Sequence, residues 1–160
     1  MNQLQHMLED KTKYYFIRNL KHINVAVGSY VWNQHKDDLC DIADKTDLPI
    51  LIYTPCGKRM NKVKNAKPED VLHDTVIAIY RGHGGRESHF KFEFAMIDSN
   101  DYPNGFMLEN HILYIYGDIS VLNVLMRGFE NEQTQLFINR YVSNGALSVK
   151  ELMNNIAIFK

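Results

Sequence analysis

Three stretches of this 160-residue sequence bring together residues able to do chemistry. The first is Arg81-Gly-His-Gly-Gly-Arg-Glu-Ser-His89. Glycines at 82, 84 and 85 let the backbone approach a ligand, and His83 and His89 are candidates for a general base. The plain alternative is a hairpin loop that needs positive φ and happens to hold histidine. As a zinc site the set is incomplete, because His73, His83 and His89 lack a cysteine or carboxylate at ligand spacing, and no metal is expected. The second stretch centres on Cys56, which follows an apolar run and precedes Gly57. Its neighbours Lys58 and Arg59 favour a thiolate, so Cys56 with His83 or His89 forms a possible nucleophile–base set. The third is Gly57–Lys67, GKRMNKVKNAK, in which Lys58, Arg59, Lys62, Lys64 and Lys67 meet no acid. Such a loop suits phosphates, nucleic acid or an acidic protein. It is also what a solvated loop looks like, and the aspartates that precede it mix the local field. The P-loop spacing, a G-x-S-x-G elbow and a G-x-G-x-x-G fingerprint are all missing, so no cofactor is expected. Asp74, Glu87 and Glu93 could serve a nuclease only at a spacing they do not have.

The elements that must position these residues follow from periodicity. Gln3 to Asn19 suits a helix turning strand-like near Tyr14–Ile17, and His22–Val27 reads as a short strand. Apolar residues at 39, 40, 42 and 43, with Asp37, Asp38, Asp41 and Asp44 opposite, predict an amphipathic helix from Asn33 to Asp47 that would place Cys40 in the core. Leu48–Tyr53 and Thr75–Tyr80 read as buried strands, with at most a short helix at Pro68. His89–Ile97 alternates, with Phe90, Phe92 and Phe94 on one side, as a half-buried strand does. Phe106–Leu108 and His111–Tyr116 suggest a hairpin. Ser120 opens a long helix to about Tyr141 with Gly128 as its weak point, and Ser148-Val-Lys-Glu151 is a capping box for a last helix ending near Phe159. The expectation is one compact domain over 1–160, α+β or mixed α/β, with about five strands flanked by N- and C-terminal helices.

Residues 32 to 92 resemble the latter half of an ovarian-tumour-type (OTU) cysteine protease domain. The resemblance lies in Trp32, Asp38-Leu39 and Ile42-Ala43, then Pro49–Tyr53, Thr75–Tyr80 and Ser88-His89-Phe90. It implies a helix, two strands and a general base at His89, followed by the aromatic Phe90. The family's nucleophile belongs upstream in an Asp-Gly-x-Cys context, and residues 1 to 31 contain no cysteine. A second stretch, TVIAIYRGHGG (75–85), is similar to caspase-like peptidases and would make His83 the base. The nucleophile it implies, near Asp118-Ile119-Ser120, is also not a cysteine.

Composition limits the function further. Apolar residues at 45% and charged residues at 23% describe a globular chain rather than a disordered one. A formal net charge of −1 argues against whole-surface attraction to nucleic acid or anionic membrane. No signal-peptide pattern and no span of about 18 apolar residues appears. Two cysteines outside any C-x-x-C read as reduced, which suggests the cytoplasm of the cell or of a host. Without a catalytic signature, the expected role is a small regulatory or accessory protein, of the kind carried by viruses and mobile elements, that binds a protein partner. The nine tyrosines fit such an interface. A His-based cysteine-peptidase-like hydrolase and nucleic-acid binding through loop 57–67 are the alternatives.

Overall fold

The structure is a computed structural model that describes residues 3–41, 47–57, 60–82, 90–143 and 145–160. The fold is α+β, as the periodicity predicts, and the described residues contain ten strands rather than about five. The helices are α1 (Gln3–Met7), α2 (Ile119–Glu130), α3 (Glu132–Val142) and α4 (Val149–Asn154). The strands are β1 (Tyr14–Phe16), β2 (Ile23–Val27), β3 (Leu39–Cys40), β4 (Ile50–Ile52), β5 (Met60–Val63), β6 (Val76–Tyr80), β7 (Phe94–Ile97), β8 (Phe106–Leu108), β9 (Ile112–Gly117) and β10 (Ala157–Phe159). Among the described residues, no helix is long and apolar enough to cross a membrane. The chain packs as two compact units, one of Met1–Val25, Arg81–Phe92 and Ile115–Lys160, the other of Ala26–Tyr80 and Glu93–Tyr114.

The second unit is built on sheets. One has the order β3–β5–β4–β8, antiparallel except for the parallel pair β4–β8, in which Ile50 faces Phe106 and Ile52 faces Leu108. The other has the order β2–β9–β6–β7, with β6 and β7 antiparallel. Ile52, Phe106 and Leu108 from the first meet Val76, Ala78 and Ile97 from the second in one apolar cluster. The opposite face of the first sheet buries Leu51, Val63 and Met107 with Tyr30. A sheet covered on both faces needs apolar residues in succession, not alternately, and this is why Ile50–Ile52 and Phe106–Leu108 read as unbroken hydrophobic runs.

Three expectations are corrected here. Residues 33–41 form no amphipathic helix. They make 3₁₀ turns at Trp32–Gln34 and Lys36–Asp38 and then β3, whose Leu39 and Cys40 pair with Val63 and Lys62. Aspartates favour turns over helix interiors, and a free edge of β5 offered the ladder. The region 42–46 lies outside the described residues. The expected hairpin of Phe106–Leu108 with His111–Tyr116 does not form either, since β8 and β9 belong to different sheets. Strand β7 begins at Phe94 and not at His89, because the backbone before it is claimed elsewhere: Phe90 N–H donates to Ser143 O (3.3 Å) and Phe92 N–H to Asn139 Oδ1 (2.9 Å).

In the first unit β1 and β10 pair antiparallel, with Tyr14 opposite Phe159 and Phe16 opposite Ala157, and α2 and α3 pack on β10. The long helix expected from Ser120 is two helices. Asp118, not Ser120, caps α2, accepting from Ser120 and Val121 N–H. The break falls at Asn131, which ends α2 and caps α3 through its side chain, accepting from Gln133 N–H at 2.9 Å. Gly128 stays inside α2, where a side chain would collide with Ile158. The Ser148–Glu151 capping box is present as predicted, but α4 ends at Asn154, and the residues near Phe159 form β10. Buried Thr134 joins the helices to the strand by accepting Phe159 N–H at 2.8 Å.

Two substitutions probe this packing. At Gly28 a Cβ would meet the carbonyl oxygens of Leu108 and Glu109, which are backbone and cannot rotate away. Gly28→Ala should therefore lower unfolding free energy by about 3 kcal/mol in urea titration. Thr134→Val keeps the shape and orphans the Phe159 amide, with an expected loss of about 1–3 kcal/mol.

Candidate functional site

The tertiary structure separates the chemical candidates by their surroundings. Cys56 sits exposed in the turn after β4, in a cavity of about 180 Å³ lined also by Asp98, Asp101 and Tyr102. Among the described residues, the charged groups that share this cavity are the carboxylates Asp98 and Asp101, which repel a thiolate rather than stabilise it. His83 and His89, the bases proposed for Cys56, lie outside the described residues, as do Glu87, Lys58 and Arg59. Cys40 is on β3 and half-buried, not mid-helix in the core. Among the described residues, no three His, Cys, Asp or Glu side chains gather as a metal site.

Of the described lysines of 57–67, Lys64 and Lys67 adjoin acidic residues through backbone contact or along the chain. Lys62 lies on β5 between Cys40 and Ile50 of the flanking strands. Lys64 N–H donates to Asp38 O at 2.7 Å, and Asn65, held at φ 54°, places its amide 3.4 Å from Asp38 Oδ1. Lys67 is followed by a 3₁₀ turn carrying Glu69 and Asp70. This mirrors the charge of the whole unit, which holds seven basic against twelve acidic residues, a net of −5. The first unit holds eleven basic against seven acidic, a net of +4. The near-neutral total conceals this division.

Two features escaped the sequence reading. One is the Glu109-Asn110-His111 turn between β8 and β9. Glu109 is 4% exposed, a buried carboxylate. Its Oε2 accepts His111 N–H at 2.8 Å, and His111 Nδ1 lies 2.9 and 2.8 Å from Oε1 and Oε2. The imidazole remains 42% exposed. A buried carboxylate must be hydrogen-bonded to remain inside, and this turn uses its own histidine for the purpose. Tyr80 feels the same charge. Burial raises its hydroxyl pKa above the ordinary value, and Glu93 and Glu109 raise it further. The signal in the sequence was Glu-x-His between two apolar runs, too short a pattern to separate from a surface turn.

The other is the stretch Lys11–His22, KTKYYFIRNLKH, which carries four cations and no acid. Asp10 is the last acid before it and Asp37 the next after it. Lys11, Lys13, Arg18 and Lys21 are exposed. Tyr14 and Phe16, two apart on β1, share a face, and the Arg18 guanidinium lies 4.8 Å from the Phe16 ring centre. Beside this strand is a groove of about 800 Å³, lined among others by His6, Thr12, Lys13, Asn131, Gln133 and Lys160. Its two acids are engaged. Glu9 lies 3.4 Å from His6 Nδ1, and Asp10 accepts from Thr12 Oγ1 (2.6 Å) and Thr12 N–H (3.0 Å), which holds its carboxyl below the ordinary pKa.

Comparison with known proteins gives one informative likeness. The chain is 27% identical over 140 residues to the type II methyltransferase M.CvrRI of Paramecium bursaria Chlorella virus XZ-6E. The alignment takes 86% of this chain and 35% of that protein, so the chain spans about a third of the length of its relative. No family model and no solved structure matches. The OTU and caspase-like resemblances are thereby corrected: the likeness found is to a methyltransferase and not to a peptidase, and the helix on which the OTU reading relied is absent at 33–41.

The carboxylates around Cys56 generate a prediction. In the Cys40→Ser background, Cys56 should react with a disulfide reagent at neutral pH no faster than an unactivated exposed thiol. The His83→Ala and His89→Ala variants should react at the same rate. A tenfold slowing on either substitution would overturn this.

Proposed function

We propose that this chain binds nucleic acid and serves the recognition side of a methyltransferase activity rather than its chemical step. The observation that carries the reading is the 140-residue likeness to a type II methyltransferase, of which it covers 35%. Methyl transfer requires a donor and an acceptor held together, and a segment of this size supplies one of the two. Nucleotide-type cofactors are commonly held at the carboxyl ends of a doubly wound parallel sheet, with a glycine-rich strand–helix turn. The sheets here are mostly antiparallel, with short strands, and the sequence has no G-x-G-x-x-G. Acceptor binding is the better fit, and a unit with net charge +4 supports a polyanionic acceptor.

A protein partner, the expectation from composition, is the second reading. Exposed Ile119 and Val124 on α2 and Leu136 on α3 favour it.

The two are separated by fluorescence anisotropy of the full chain with labelled oligonucleotides. Nucleic-acid binding should weaken linearly in log–log form with salt, with a slope of about −0.9 for each phosphate contacted on duplex DNA. No binding at about 50 mM salt would reject the nucleic-acid reading. A stoichiometric protein partner recovered from lysate after nuclease treatment would then favour the second.

A further inference from the structure

We propose that nucleic acid is held by the groove beside β1 and β10, with its backbone phosphates on Lys13 and Lys160 and then on Arg18 and Lys21, and not by Lys62, Lys64 and Lys67. This rests on the nucleic-acid reading above and assigns its surface.

The first argument is electrostatic. A cation binds phosphate more strongly where the surrounding field is positive than where it is negative. Lys62, Lys64 and Lys67 belong to a unit of net charge −5, in which Asp38 takes hydrogen bonds from Lys64 N–H and the Asn65 amide, and Glu69 and Asp70 lie in the turn after Lys67. Lys11–His22 has no acid in its sequence and lies in the unit of net charge +4.

The second argument is the register of β1 with β10. Tyr14 pairs with Phe159, so Lys13 and Lys160 stand opposite each other one residue beyond, and Lys160 N–H donates to Lys13 O at 2.9 Å. Like charges opposed across two strands repel, at a cost to the fold. Both line the groove, where a phosphate between them would turn this repulsion into attraction. Of the groove's side-chain acids, Glu9 faces His6, while Asp10 caps the turn at Thr12 and also attracts Lys13, so a phosphate would compete with Asp10 for that lysine.

The third argument is chemical variety. Thr12 and Gln133 add polar side chains to the groove, and Tyr14 and Phe16 on β1 are followed by Arg18 in the next turn, its guanidinium 4.8 Å from the Phe16 ring centre. Cations flanking aromatic rings suit a nucleic-acid chain, with phosphates on the former and bases or sugars against the latter. A volume of about 800 Å³ accommodates a few nucleotide units rather than an entire duplex, so a duplex would be gripped by its backbone at the rim.

The test compares three variants of the full chain by anisotropy, on one duplex and one single-stranded oligonucleotide, after thermal melting has shown each to be folded. Lys13→Gln/Lys160→Gln should weaken binding about tenfold or more at low salt and reduce the magnitude of the salt slope by about 1.8 on the duplex. Arg18→Gln/Lys21→Gln should weaken it in the same direction. Lys62→Gln/Lys64→Gln/Lys67→Gln should stay within about twofold of the unaltered protein. Weakening by the triple variant, with both double variants unchanged, would overturn this surface and leave the nucleic-acid reading standing. An unaltered protein that binds neither oligonucleotide would remove that reading and this surface with it.

Discussion

The buried carboxylate of Glu109 is the constraint around which the sheet-built unit is organised. At this point the chain leaves β8 in one sheet and enters β9 in another within three residues. So abrupt a crossing buries backbone amides and carbonyls that no ladder satisfies. Here Glu109 N–H donates to Ile52 O (3.1 Å), Asn110 N–H to Tyr30 O (2.9 Å), and Ile112 N–H to Glu109 O (3.0 Å). The Glu109 side chain secures the last amide of the turn, that of His111, and the imidazole closes over the charge. An ionised carboxylate without such partners would cost several kcal/mol in this position. Gly28 belongs to the same arrangement, because its missing side chain admits the carbonyls of Leu108 and Glu109.

The first unit solves a different problem with similar economy. Asn131 ends one helix and begins the next without an intervening loop, and its amide also donates to Phe159 O and Lys160 O at 3.3 and 3.1 Å. One side chain thereby sets the corner between α2 and α3 and anchors β10 to it. That anchoring places Lys160 opposite Lys13, so the element that shapes the helices also shapes the groove beside β1. A net charge near zero hides a division of charge, +4 on this unit and −5 on the other, and the local field at any surface follows the unit and not the molecular total.

Much of the local structure was legible. Ser148 and Glu151 form a reciprocal cap that depends on four residues and nothing else, and it appears as predicted. Leu48–Tyr53 and Thr75–Tyr80 contain β4 and β6, since runs of β-branched and apolar residues between turn signals have few other outcomes. The segment 33–41 shows the opposite case. Its residues fit a helical face on paper, yet β5 had an unpaired edge, and pairing with Leu39 and Cys40 satisfied backbone on both strands. Phe90 and Phe92 alternate like a strand, but their amides go to Ser143 and Asn139. Of the candidate site residues, the histidines at 83 and 89 and the cations at 58 and 59 lie outside the described residues. Lys62 stands on β5 and not on a loop, because β3 and β4 flank it on both sides, and Lys64 and Lys67 follow that strand.

By itself the sequence determined the class of the fold, the apolar strands β4 and β6, the Ser148–Glu151 cap and the absence of an acid between Asp10 and Asp37. These depend on neighbours along the chain, where spacing and propensity act directly. Only the tertiary structure decided which strands share a sheet, that the chain crosses between sheets at Glu109, and that Lys13 faces Lys160. Those outcomes depend on residues far apart in sequence competing for the same backbone partners and the same buried space, and no local pattern records which competitor wins.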